Sequence, residues 1–109
     1  MTTHSAVEVT DDSFEDEVLR SPVPVLVDFW APGCLPCRTL SPVVDEVAAE
    51  MAGACKVVKV NVYDNPALTR RYRVQSVPLL LFFKDGEVGS REPDATSKDA
   101  LLSRLASLT

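Results

Sequence analysis

Residues 23–62 constrain the fold more than any other part of the chain, because they switch between the two hydrophobic periods a backbone can use. The segment VPVLVDFW at 23–30 is almost continuously apolar, the pattern of a strand covered on both faces. Residues 34–51 then change period. Leu40, Val43, Val44, Val47, Ala48 and Met51 recur at i, i+3, i+4, i+7, i+8 and i+11, a stripe along one side of a helix. Pro42 sits inside that helix, has no N–H for the carbonyl of Arg38, and predicts a kink. Gly53 stops the helix, and residues 55–62 return to a strand. Strand, long helix and strand predict a right-handed βαβ unit with parallel strands.

The flanks continue the alternation. Residues 6–10 alternate weakly, as an edge strand does. Residues 11–20 predict a short helix, capped by Asp or Ser, with Phe14 and Val18 on one face. Asp11, Asp12, Glu15, Asp16 and Glu17 suit its positive end and read as a solvated face. Ser21-Pro22 ends it. Residues 66–72 predict another short helix, and LLLFF at 79–83 a second buried strand. Lys84-Asp85-Gly86 is a turn, and 87–91 returns as an antiparallel partner. Residues 97–108 form a last helix, with Leu101, Leu105 and Leu108 at i, i+4 and i+7. The order β-α-β-α-β-α-β-β-α predicts a single α/β domain over 1–109, a mixed sheet of about five strands with about four helices on its two faces.

A chain of 109 residues has room for one core. Eleven Lys and Arg against sixteen Asp and Glu give a net charge of −5. With no basic run, the footprint of a nucleic-acid binder is missing, and an anionic membrane offers little attraction. The apolar stretches at 23–27 and 77–83 fall short of the roughly 18 residues a spanning helix needs. No charged segment followed by an apolar one opens the chain, so no secretory signal is expected and a cytoplasmic location is. The single histidine, His4, removes most Ser/His/Asp and Cys/His schemes and most His-based metal sites. Arg70, Arg71 and Arg73 make a small basic patch, either a solvated helix face or a dock for an acidic partner.

The chemistry concentrates in Cys34-Leu35-Pro36-Cys37, between the buried strand and the long helix. A thiolate is the nucleophile in disulfide exchange, and the positive end of a helix stabilises it. Two intervening residues in a first helical turn bring the sulfurs within bonding reach. Pro36 is acceptable there because first-turn N–H groups have no intrahelical partner. Cys34, nearer the helix end, is expected to attack, and Cys37, one turn in and more buried, to resolve the mixed disulfide. Two plainer readings compete. The cysteines serve as small buried hydrophobes, or they are half of a zinc site. Cys55 has the spacing of a second pair, but position 58 is Val58. The strand–CxxC–helix context favours redox chemistry and leaves Cys55 as an inert buried thiol.

From about Ala6 to Leu108 the sequence resembles the thioredoxin family. VLVDFWAPGCLPCRTLSPVVDEVA is similar to that family's active-site segment, and VVKVNVYDNPALTRRYRVQSVPLLLFFKDGEV to its second half. The resemblance implies a thioredoxin-like fold and a protein-disulfide reductase. It implies that Cys34 is the nucleophile and Cys37 the resolving thiol. Asp28 matches the family's buried aspartate, and Lys59 the lysine near it. A carboxyl in an apolar strand has a raised pKa, which suits it to move a proton to or from Cys37; the plainer reading is a hydrogen-bonded structural group. For Lys59 the plainer reading is a strand lysine reaching solvent. Val77-Pro78 matches the family's cis-proline loop, where the backbone of the residue before proline pairs with the bound peptide. Trp30 matches a tryptophan beside the active site.

The departures bear on partners. Gly33 replaces the family's tryptophan before the first cysteine, and Leu35 replaces a glycine. Leu79 follows Pro78 where threonine is common, and Asp94 stands where the family has a docking glycine. Substrate contact is thus expected from Trp30, Gly33, Leu35, Pro36, Val77 and Pro78. The implied partners are disulfide-containing proteins and an upstream thioredoxin reductase, NADPH- or ferredoxin-dependent, with the chain a monomer. No bound cofactor or metal is expected, because the Cys34–Cys37 pair itself carries two electrons. The alternatives are a thioredoxin-like binding module, or a specialised oxidant or isomerase with weak reductase activity.

Overall fold

In a computed structural model, which describes residues 6–92 and 97–109, five strands form one mixed sheet. They are β1 (Val7–Glu8), β2 (Val25–Trp30), β3 (Lys56–Asn61), β4 (Leu79–Lys84) and β5 (Glu87–Glu92), in the order β1-β3-β2-β4-β5. The strands expected to be buried on both faces, β2 and β4, are the central pair. β2 runs parallel to β3 and antiparallel to β4. The short β1 pairs parallel to β3 at the edge. β4 and β5 form a hairpin across Asp85 and Gly86, whose φ values of 53° and 81° suit a tight primed turn.

Three α-helices accompany the sheet: α1 (Leu35–Glu50), α2 (Pro66–Arg71) and α3 (Lys98–Ala106). The stripe on α1 buries Leu40, Val44, Val47 and Ala48, and with Leu101 and Leu105 of α3 it packs on Leu26, Val57, Leu80 and Phe82. Cys55 is buried in the same layer, and burial pushes its thiol pKa up, as expected of an inert thiol. Pro42 lies inside α1, which continues unbroken to Glu50. Ser97 caps α3 by accepting the Ala100 N–H at 3.2 Å.

The opposite face carries a second core. Phe14, Val18 and Leu68 pack there on Val27, Phe29, Leu81 and Phe83. The segment expected as an ordinary helix over 11–20 differs. A turn at 11–13 leads into a five-residue π-helix, Glu15–Leu19, closed by an Arg20 N–H to Glu15 carbonyl bond of 3.0 Å. The cap at its start is also not the expected one: the Ser13 N–H donates to Thr10 Oγ1 at 3.3 Å and the Thr10 N–H to Ser13 Oγ at 2.9 Å. Asp11 turns away to accept the backbone N–H groups of Ala67 and Leu68 at 3.3 and 3.0 Å, capping α2 instead of its own helix. Phe14 takes the N-cap position and offers no side-chain acceptor. Its ring is held 5.5 Å from that of Tyr72 and 5.7 Å from that of Phe83. Phe14→Ala is therefore expected to lose about 3–5 kcal/mol of stability, seen as a lower urea midpoint at unchanged slope.

The arginine patch, Arg70 and Arg71 in the last turn of α2 and Arg73 just beyond it, is tied to this frame. Arg91 donates to the carbonyls of Tyr72 and Arg73 at 2.8 and 2.9 Å, and Arg71 lies over the Tyr72 ring. His4 and Asp94 fall outside the described residues.

Candidate active site

The end of β2 and the start of α1 converge at the disulfide-bonded pair Cys34–Cys37, whose Cα atoms are 5.3 Å apart. Cys34 is not itself helical. With φ −82° and ψ 106° it is the N-cap of α1, and its Sγ accepts the Cys37 N–H at 3.2 Å. The sulfur thus takes the place a serine oxygen holds at other helix starts. That N–H and the helix end favour negative charge on this atom. Pro36 occupies the first turn without an N–H to lose.

The two sulfurs differ in access. Cys34 is half-buried, whereas Cys37 is only 4% exposed. Of the two, Cys34 is thus the sulfur a partner can approach. On the outer side, Cys34 Sγ lies 3.8 Å from the Val77 carbonyl oxygen. The Val77-Pro78 bond is cis, as the resemblance implied, and Pro78 is buried at the head of β4. Leu35 is 70% exposed beside the disulfide, and Pro36 is exposed too. Gly33 has φ +81°, where a side chain is strained, and the space a Cβ would enter is open.

Behind the disulfide a cleft of about 370 Å³ is lined by Cys37, Asp28, Lys59, Ser41, Trp30 and Glu8, among others. Asp28, on β2, is 2% exposed, and among the described residues its Oδ1 has no hydrogen-bond partner. Burial pushes the Asp28 pKa up to about 7, against the pull of Lys59 and with help from the charges of Glu8 and Asp45.

Lys59 stands directly opposite Asp28 in the β2–β3 pairing. Its Nζ reaches α1 instead, donating to Ser41 Oγ at 2.7 Å and pairing with Asp45 at 3.2 Å. Among the described residues no ion pair joins Lys59 to Asp28, so the lysine acts on the aspartate through space. Its side chain is 15% exposed, mostly covered but still open to the cleft.

Trp30, at the end of β2, is half-buried, and its indole N–H donates to Glu8 Oε2 at 3.1 Å. The expected residues thus fall into two groups around one disulfide. Cys34, Leu35, Pro36, Val77 and Pro78 form the outer rim. Asp28, Lys59, Trp30, Gly33 and Cys37 line the inner cleft. Glu8, Ser41 and Asp45 were not anticipated. The available signals were slight: Ser41 and Asp45 are i, i+4 on the polar side of α1, and Glu8 alternates with two valines in the edge strand.

Comparison with known proteins agrees with this geometry. A family profile described as Thioredoxin matches residues 5–107. The chain is 50% identical over 101 residues to "Thioredoxin" of Pyropia yezoensis, covering 93% of this chain and 94% of that one. It is 48% identical over 100 residues to "Thioredoxin 1" of Synechococcus elongatus, covering 92% and 94%. It is 48% identical over 103 residues to "Thioredoxin" of Allochromatium vinosum, covering 94% and 96%. Thioredoxins act on disulfide-bearing proteins and are re-reduced by thioredoxin reductase. Among the described residues no helix is long and apolar enough to cross a membrane. With a reactive pair capping a helix and a family match over nearly its whole length, the chain belongs to the thioredoxin family and is a thiol–disulfide oxidoreductase that reduces protein disulfides through Cys34 and Cys37.

Proposed function

We propose that reduction runs by a two-step exchange in which Asp28 manages the proton of Cys37 and the Val77 backbone holds the substrate. The Cys34 thiolate attacks one sulfur of a substrate disulfide. A Cys34–substrate bond forms, the substrate's own S–S bond breaks, and the leaving thiolate takes a proton from solvent. Cys37 then gives its proton to the Asp28 carboxylate and attacks the Cys34 sulfur. The Cys34–substrate bond breaks, the second substrate sulfur leaves as a thiolate and takes the proton back from Asp28, two electrons have passed to substrate, and the Cys34–Cys37 disulfide remains.

The observation that carries this reading is the buried Asp28 carboxyl in the same cleft as Cys37. A carboxyl titrating near 7 is suited to both accept and return a proton at neutral pH. Lys59, held by Ser41 and Asp45, keeps a positive charge across from Asp28 and limits how far its pKa rises. On the rim, the Val77 carbonyl beside Cys34 is placed to receive an N–H of an extended peptide. Leu35 offers that peptide an apolar contact, Gly33 leaves room, and Trp30 and Pro36 bound the approach. The two cysteines carry the electrons without a bound cofactor. A monomer in a reducing, cytoplasmic setting, recharged by an NADPH- or ferredoxin-dependent thioredoxin reductase, completes the cycle.

The test is to trap the intermediate. Cys37→Ser removes the resolving thiol and leaves the attacking one. Mixed with a disulfide-bonded protein, it is expected to accumulate a Cys34-linked adduct, stable on a non-reducing gel and released by dithiothreitol. Wild type should show none at the same time point. Adducts through Cys55, or none at all, would overturn the assignment of roles.

A further inference from the structure

The sheet carries a row of charge that the mechanism above uses only in part. Glu8 of β1 stands opposite Lys59 of β3, and Lys59 stands opposite Asp28 of β2. Directly opposed residues on neighbouring strands point to the same face, and all three line the cleft beside Cys37. Two carboxyl groups therefore flank one lysine, their backbones separated by two strand spacings, about 10 Å. Glu8 also accepts the indole N–H of Trp30, which lies two residues beyond Asp28 on the same strand.

We propose that Glu8 is a positioning residue of the reductase reaction: it holds the Trp30 indole at the cleft wall and, through its negative charge, biases the proton exchange between Asp28 and Cys37. The inference rests on the role given to Asp28 above.

The groups facing Asp28 come from three elements. Lys59 of β3 favours its ionised form, while Glu8 of β1 and Asp45 of α1 oppose it. Lys59 has its ammonium on Ser41 and Asp45, and among the described residues no ion pair joins it to Glu8. Glu8 is itself faced by Trp30 and Lys59, which favour its carboxylate, and by Asp64, which opposes it. Although the residue as a whole is exposed, desolvation of its carboxyl at the cleft is the largest influence and holds its pKa above the usual range. Arg38 of α1 lines the same cleft. The sign is then fixed: a charged Glu8 keeps the proton on Asp28, and removing that charge lets Asp28 ionise at lower pH.

Glu8→Gln keeps an oxygen for the indole N–H and removes the charge. The position is exposed on a two-residue edge strand, so the variant retains the fold. The Asp28 carboxyl is followed by carbon-13 NMR titration, and the rate of mixed-disulfide resolution is measured against pH, in wild type, Glu8→Gln and Asp28→Asn. In Glu8→Gln the Asp28 midpoint and the acid limb of the rate are expected to move down by about half a pH unit, with the tryptophan emission unchanged. Glu8→Leu should show the same midpoint together with altered emission, since it also loses the acceptor. If Asp28 titrates in Glu8→Gln as in wild type, the inference is overturned while the role of Asp28 stands. An acid limb that survives in Asp28→Asn belongs to another group and overturns both. Unaltered emission in Glu8→Leu overturns the positioning of Trp30.

Discussion

Cys34→Ser is expected to abolish the acceleration that the wild-type protein gives to reduction of a disulfide-bonded protein by dithiothreitol. The loss should be at least about a thousandfold over the rate with dithiothreitol alone as baseline. The argument is chemical rather than structural. A serine oxygen can still accept the Cys37 N–H that the sulfur accepts at 3.2 Å, so α1 keeps its cap and the protein its fold. What disappears is a group that ionises near neutral pH and forms a bond to sulfur. Equal turnover by variant and wild type would mean that the reaction runs through another thiol, and Cys55, buried with a raised pKa, is a poor candidate. No acceleration by wild type would remove general protein reduction and leave dedicated partners that accept the Gly33 and Leu35 rim.

The second large effect is on stability. Asp28 titrates near 7 in the folded chain against 3.8 for a free carboxyl. Between those values the folded state binds the extra proton, so wild-type stability falls as pH rises through this window. The penalty is absent below about pH 4 and fully developed above the folded value, where it amounts to about 4 kcal/mol. Asp28→Asn removes the ionisation and keeps the shape. Urea unfolding of the oxidised proteins should therefore find the variant more stable by about that amount at pH 8 and nearly equal at pH 4. A gap of the same size at both pH values would trace to packing of the amide. No gap at pH 8 would show that the carboxylate is not desolvated, and the proton-carrying role would fall with it. Reduced turnover in this stabler variant would show that wild type retains the aspartate for its chemistry.

Much of this arrangement is written locally in the chain. The apolar run before Cys34 and the stripe from Leu40 to Met51 specify β2 and α1, and their junction places a cysteine at a helix start. Asp28 stands out because a single carboxyl interrupts an apolar strand. What the local pattern does not carry is who meets whom across the sheet. Asp11 caps a helix more than fifty positions away, and the start of its own segment is capped instead by Thr10 and Ser13. Ser41 and Asp45 look like solvent-facing positions of α1 until β3 brings Lys59 beneath them. Glu8 looks like an edge-strand charge until Trp30 arrives from β2. The cis bond before Pro78 was expected from likeness to a family, since the residues alone favour trans.

The atom that reacts is also the atom that closes the first turn of α1. Each redox step therefore changes the chemical quality of a helix cap: a thiolate accepts the Cys37 N–H strongly, a disulfide sulfur weakly. A substrate that bonds to Cys34 borrows this cap for as long as the mixed disulfide lasts, and its release hands the cap back. The longest of the described helices is in this sense a party to every turnover.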